Sequence, residues 1–460
     1  MNELLTLCGF TEQDIEKELP RVEKAFGKLG IIDADIEVAI QRLNKYYDME
    51  LVGVRKILRL CLLEVINSVL AREEGKKKIV FGFMIPGFEV ISYALMSGSK
   101  EVFAAHHSWA FLLVMGCVFG KLVPVMEEAE RKWLKAGAVA HCANLKTITG
   151  LVSLDLIPKP DLMLTSGFMC ETAPKTLDLM HELYDMPVYC WDTCYDRGAG
   201  ESDEAGDRSA DLAEKSLRRL IEIIQVTVGF TITDDMLWDA LEARNRLNRL
   251  MSKIQHLHHD SDPLPISPAH DNFWMILNSL TFHHDNITDA IDAAETLLRE
   301  LKERVEKGYG VMPKGSPRVV GEMFAHHADP RLEYLACEMG IALVVATTAS
   351  TIRFDRDLED PYKAISMAWG GARSAGYAQK IPMELKLFKK MKIDGFLERY
   401  HVGCRDVVGD AFVIQNAVEK ELGIPVLSLE WENFDPRVYN HEEYRRRLEV
   451  FKTMMTRKAD

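Results

Sequence analysis

The sequence predicts an α/β chain with two parallel-sheet domains, and three observations carry that expectation. Short apolar runs of strand length alternate with helix-period stretches from Lys77 to Trp191, and again from Pro317 onward. Between these series, residues 201 to 316 keep a helical period almost throughout. The two series also echo one another. The first has a strand, Cys170, a helix, then Met186-Pro187-Val188-Tyr189; the second has a strand, Cys404, a helix, then Ile424-Pro425-Val426-Leu427. Duplication of one α/β unit explains this order, although Ile-Pro-Val entering a strand is common enough to arise by chance.

Taken in order, the first stretch reads as helices. Thr11 and Asp14 supply an N-cap and first-turn charge, and Val52, Val54, Ile57, Leu58, Cys61 and Val65 form an apolar stripe. The period changes at Lys77. Strands are expected at Lys78 to Met84, Val102 to Ala105, Ala138 to Ala140, Asp161 to Thr165 and Val188 to Trp191. Long amphipathic helices follow, such as Leu212 to Val226 and Thr288 to Glu306, interrupted by a loop at Asp260 to Pro265. The second series has strands at Arg318 to Met323, Ile341 to Ala346, from Gly395, and at Pro425 to Leu429, closed by a helix at Glu442 to Met455. The expected organisation is an N-terminal helical arm (1–76), a first α/β domain with Cys142 and Cys170 (77–200), a helical connecting region (201–316) and a second α/β domain with Cys404 (317–460). Each sheet domain is expected to be flavodoxin- or Rossmann-like, with helices on both faces.

Composition narrows the function. The 460 residues are 47% hydrophobic and 27% charged, as in globular proteins. A net charge of -14 without any Lys/Arg-rich run argues against a nucleic-acid partner. The N-terminus lacks the basic start and sustained apolar stretch of a signal peptide. The longest apolar run, Trp109 to Gly120, falls short of the ~20 residues that span a bilayer. A cytoplasmic protein without membrane or nucleic-acid partners is expected. Nine cysteines without regular spacing are then free thiols or metal ligands.

Three of those cysteines sit where a strand or turn gives way to a helix: Cys142 in His-Cys-Ala-Asn-Leu-Lys, Cys170 in Ser-Gly-Phe-Met-Cys-Glu-Thr, and Cys404 in His-Val-Gly-Cys-Arg-Asp. An open α/β sheet presents ligands at that edge, and helix N-termini stabilise thiolates there. Three such thiols in one cleft could hold three irons of a [4Fe-4S] cluster and leave the fourth open; three independent buried cysteines are the plain alternative. Cys8, Cys61, Cys117 and Cys337 lie in apolar helical patterns and read as packing residues. Cys190 also reads as packing, and Cys194 is left open. The adjacent histidine pairs point apart and rarely share a metal. His106-His107-Ser108 differs because it ends a strand, so His107 is a candidate proton-transfer residue. Glu89, opening the helix after Pro86-Gly87, is another, with helix capping as its plain alternative. No phosphate-binding loop or dinucleotide fingerprint is present, so any ATP would be bound by another polypeptide.

From Pro86 onward the chain resembles a subunit of the 2-hydroxyacyl-CoA dehydratase and benzoyl-CoA reductase superfamily. The resemblance rests on Pro86 to Ala94, on Cys142 with Lys146 to Gly150, on Pro160-Asp161-Leu162 leading to Cys170, on Cys404 with Glu421 to Leu427, and on His441 to Phe451. It implies that Cys142, Cys170 and Cys404 ligate a [4Fe-4S] cluster whose open iron faces an acyl-CoA thioester, and that Glu89 is an acid/base residue. It implies a related second subunit and a separate ATP-hydrolysing iron–sulfur activator. The implied reaction is radical elimination of water from a 2-hydroxyacyl-CoA, or alternatively reduction of an aromatic acyl-CoA. Two further readings stay open: a double-cubane reductase, which needs six sulfur ligands, and a two-lobed binding protein without metal.

Overall fold

The computed structural model describes residues 1–460 except 86, 136, 138–140, 168–169, 171, 192–202, 272–276, 278, 322–326, 346–353, 374–376, 402 and 457–460. Its architecture is α/β, with two four-stranded, all-parallel sheets and helices on their faces. The first sheet contains β1 (Lys78–Phe83), β2 (Val102–His106), β3 (Leu162–Ser166) and β4 (Val188–Trp191), in the order β2-β1-β3-β4. The second contains β5 (Arg318–Gly321), β6 (Ala342–Val345), β7 (Gly395–Tyr400) and β8 (Val426–Glu430), in the order β6-β5-β7-β8. Counted within each sheet, the two orders are the same. The sequence echo is therefore also a topological one. The strand expected at Ala138 to Ala140 lies outside the described residues, as does the end of the run expected at Arg318 to Met323.

The strands are near-continuous apolar runs because both faces are covered. In the second lobe the period of two is plain. Val319, Leu343, Leu397 and Leu429 face one core with the helices Arg331–Glu338 and His441–Thr456. Val320, Val344 and Phe396 face the other, with Phe388, Ile414 and Val418. In the first lobe a single larger core takes in the first sheet, the helices before Lys77 and the long helices Asp203–Val228, Asp234–Asp260 and Ile287–Glu306.

Polar contacts pin the N-terminal helices into that core. The Glu300 carboxylate accepts the free N–H groups of Val52 and Gly53, both at 2.9 Å, at the start of the helix Val52–Leu70. Gly53 itself lies against the Leu297 backbone so closely that an added Cβ would clash at 2.5 Å. Among the described residues, no helix is long and apolar enough to cross a membrane.

Candidate functional site

In each sheet the central strand is followed by a neighbour on one side and then by one on the other. That reversal opens a crevice beyond the carboxyl ends of β1 and β3, and of β5 and β7, where ligands of open α/β sheets bind. At the end of β1 the chain turns sharply through Met84 (φ 49°) and Gly87 (φ 73°), both left-handed, into the helix Phe88–Gly98. The Ser166 hydroxyl at the end of β3 donates to the Met84 carbonyl at 2.6 Å and ties the two strand ends together. Glu89 stands half-buried in the first turn of that helix.

The three cysteines occupy helix starts. Cys142 is the N-cap of Ala143–Ser153, with its carbonyl accepting from Leu145 N at 3.1 Å and Lys146 N at 3.3 Å. Cys404 is the N-cap of Arg405–Leu422. Its own N–H donates to His401 O at 2.8 Å, and its carbonyl accepts from Val408 N at 2.9 Å. Cys170 lies between β3 and the helix Thr172–Tyr184. All three are partly buried.

Burial raises the Cys142 thiol well above its ordinary value, and the nearby charges of Glu432, Cys170 and Cys404 raise it further. The thiols of the two lobes thus share one electrostatic neighbourhood. Among the described residues, no group of three or more His, Cys, Asp or Glu side chains is arranged to hold a single metal ion. The corners of a cubane lie farther apart than ligands of one ion, so that observation bears on mononuclear sites. The donor chemistry fits a cluster: three soft sulfurs beside helix starts, of the kind a bound metal holds as thiolates. Cys190 is exposed on the edge strand β4, and Cys194 lies outside the described residues. Cys8, Cys61 and Cys117 are buried, with their thiols pushed up by burial, as packing residues should be.

The two candidate proton carriers stand in different surroundings. Glu89 lies within the field of Arg244, a guanidinium 1% exposed on the helix Asp234–Asp260. Burial lowers Arg244 to about 10, while Glu89 and Glu64 favour its charged form. His107 is 2% exposed, its ring edge-on to Phe81 at 5.1 Å, and burial lowers it to about 3. Among the described residues neither ring nitrogen has a hydrogen-bond partner. An enclosed neutral imidazole of this kind is a packing group in this conformation.

Two charged residues of the site escaped the sequence reading. Arg244 falls on the apolar stripe Leu237, Leu241, Leu247 and Met251, where a cation at a core position was a usable signal. Glu432 follows β8 in a loop without periodicity. Its residue is 7% exposed and burial raises its carboxyl to about 7. One oxygen accepts from Ala143 N at 3.2 Å and faces His401 Nε2 at 3.0 Å; the other accepts from Phe434 N at 3.1 Å. Burial, with Lys146 nearby, lowers His401 to about 4.

Beside this cluster, Glu130 accepts from Lys146 at 2.8 Å and from Arg437 at 2.7 and 3.0 Å, which ties the first lobe to the second.

The chain is 23% identical over 304 residues to the alpha subunit of (R)-2-hydroxyglutaryl-CoA dehydratase from Acidaminococcus fermentans, a match that covers 64% of this chain and 60% of that subunit. It is 22% identical over 332 residues to a subunit of benzoyl-CoA reductase from Thauera aromatica, covering 66% of this chain and 72% of that one. The sequence profile described as 2-hydroxyglutaryl-CoA dehydratase, D-component, matches residues 109–455, a span of three quarters of the length within which Cys142, Cys170 and Cys404 fall. The chain belongs to the 2-hydroxyglutaryl-CoA dehydratase D-component family.

Proposed function

We propose that this chain is the cluster-bearing subunit of an ATP-activated radical 2-hydroxyacyl-CoA dehydratase. What supports this reading is the family match together with the placement of Cys142, Cys170 and Cys404 between strand ends and helix starts in both lobes. These three cysteines would hold a [4Fe-4S] cluster, which when bound supplies a Lewis-acidic open iron and one-electron chemistry. The crevice beyond β1 and β3 would receive the acyl-CoA thioester. Glu89, beside the Arg244 cation, would accept the proton lost from the acyl chain and pass it to the departing hydroxyl oxygen, so that water leaves. Glu89 suits this better than the enclosed His107. The walls around Trp109, His327 and Phe434, whose rings meet edge-on or tilted at 5.2 to 5.8 Å, would exclude water from the interlobe side.

Both relatives are named as subunits, which supports a related second subunit, and the lack of a phosphate-binding loop supports a separate ATP-hydrolysing iron–sulfur activator. The similarity to a benzoyl-CoA reductase subunit supports a second reading, reduction of an aromatic acyl-CoA at the same site. Anaerobic purification and metal analysis test the common core of both. About four irons and four sulfides per chain are expected. A colourless, iron-free protein after reconstitution overturns it, and about eight irons per chain would indicate a double cubane instead. Turnover of a panel of 2-hydroxyacyl and aromatic acyl-CoA esters, with activator and partner subunit supplied, separates dehydration from reduction.

A further inference from the structure

One carboxylate touches the chain segments that carry thiols of opposite lobes. Glu432 Oε2 accepts the N–H of Ala143, the residue after Cys142, at 3.2 Å. The same oxygen faces His401 Nε2 at 3.0 Å, and the His401 carbonyl holds the Cys404 N–H at 2.8 Å. The loop bearing Glu432 is itself fixed to both lobes. Phe434 N caps the other carboxylate oxygen at 3.1 Å, Asn433 O accepts from His327 N at 2.9 Å, and Phe434 packs on Trp109 of the first lobe. A carboxylate so enclosed, with both oxygens occupied, holds its partners in one geometry.

We propose that Glu432 is a positioning residue that sets the separation of Cys142 from Cys404 across the lobe boundary. The free N–H at the start of the Cys142 helix and the imidazole beside the Cys404 turn are both drawn to one fixed oxygen, so neither thiol loop can swing away alone. Cys170 lies in the first lobe with Cys142 and needs no such link. The proposal rests on the cluster reading only for its purpose, since the tie itself is made by protein groups alone.

The test uses the full-length, reduced, metal-free chain and thiol-bridging reagents of graded length, with bridged cysteines mapped by mass spectrometry. In the unaltered chain, the shortest reagents that join Cys142 to Cys170 should also join Cys142 to Cys404. In Glu432→Ala the Cys142–Cys404 bridge should fall about tenfold, the factor carried by one charged hydrogen bond, while the Cys142–Cys170 bridge persists as the sign of an intact first lobe. His401→Ala should do the same from the other side. Glu432→Gln, which keeps one acceptor oxygen, should recover part of the yield. Anaerobic reconstitution should then give less iron per chain in Glu432→Ala than in Glu432→Gln at equal folded content by circular dichroism.

Unchanged Cys142–Cys404 bridging in both Glu432→Ala and His401→Ala overturns the proposal. Selective loss of that bridge in a chain that binds no iron leaves the tie standing and removes the cluster reading. Full iron with unchanged bridging does the reverse.

Discussion

The two lobes share one strand order and carry a cysteine after the third strand of each, yet their crevices are finished differently. Gly82 pairs with Leu164 in the first lobe, and Gly321 pairs with Leu397 in the second. Two residues further along, the third strand presents Ser166 in one lobe and Arg399 in the other. In the first lobe Gly82 lies flat under the Phe88 ring, Ser166 binds the Met84 carbonyl, and a half-buried Glu89 stands on the next helix. In the second, the Arg399 guanidinium fills the equivalent space beside Gly321 and pairs with Glu333 at 2.7 Å, both side chains 3% exposed. The difference teaches that duplicated topology fixes where the strand ends lie without fixing which side chains fill the space beside them. The first lobe carries the half-buried Glu89 on the helix after its glycine; at the matching place the second carries a buried ion pair, and it brings Cys404 and the Glu432 loop to the site.

The comparison breaks most visibly at the thiols. Because Cys170 and Cys404 are topological equivalents, Cys170→Ser and Cys404→Ser should each drop bound iron from about four per chain to below about one, as should Cys142→Ser. Retention of full iron by any one of them, measured after anaerobic reconstitution, would remove that cysteine from the site.

Next in size is the second lobe's closing pair. Arg399→Met leaves Glu333 buried without that partner and should cost about 3–5 kcal/mol in chemical denaturation, whereas Arg399→Met with Glu333→Leu should restore most of it. Ser166→Ala, at the matching position of the first lobe, should cost only about 1 kcal/mol.

The first lobe has a buried carboxyl of its own. Burial raises Glu64 to about 7, above the ordinary value of 4.5, and Thr281 donates to it. A carboxyl whose folded pKa is raised contributes stability that is complete below about 4.5 and lost as pH rises through about 7. Glu64→Gln should therefore flatten the fall in stability between about pH 4.5 and 7, on the order of 3 kcal/mol. An unchanged pH profile of Tm would show that Glu64 is not the titrating group.

The smallest contrast sharpens the two glycines. An alanine Cβ at Gly82 would sit 2.6 Å from the enclosed Phe88 ring, and Gly82→Ala should destabilise by about 2 kcal/mol. At Gly321 the atom met is the end of the Arg399 guanidinium, at 2.9 Å, which can shift, so Gly321→Ala should cost under about 1 kcal/mol. Equal losses in thermal unfolding would erase the distinction between the crevices.

Much of this arrangement was legible in the chain. The runs at Lys78 to Met84 and Pro425 to Leu429 became β1 and β8 within a residue or two, because strands covered on both faces must be continuously apolar. Gly403 before Cys404, and the end of the apolar run before Cys142, marked helix starts from local composition. Glu432 was not legible. It lies in Trp-Glu-Asn-Phe, where no period says whether a carboxylate meets water or a neighbouring lobe, and solvation is the usual fate of such a residue. Arg244 stood in a legible stripe, yet its neighbourhood with Glu89 depends on how two helices pack.

By itself the sequence determined the order of strands and helices, the two matching halves and the placing of three cysteines at helix starts, since backbone propensity and burial period act over a few residues. Only the tertiary structure decided that Glu432 reaches the start of the Cys142 helix and faces His401, and that Arg399 pairs with Glu333 beside Gly321. Those outcomes depend on how whole lobes pack, and contacts between distant segments leave no local period to read.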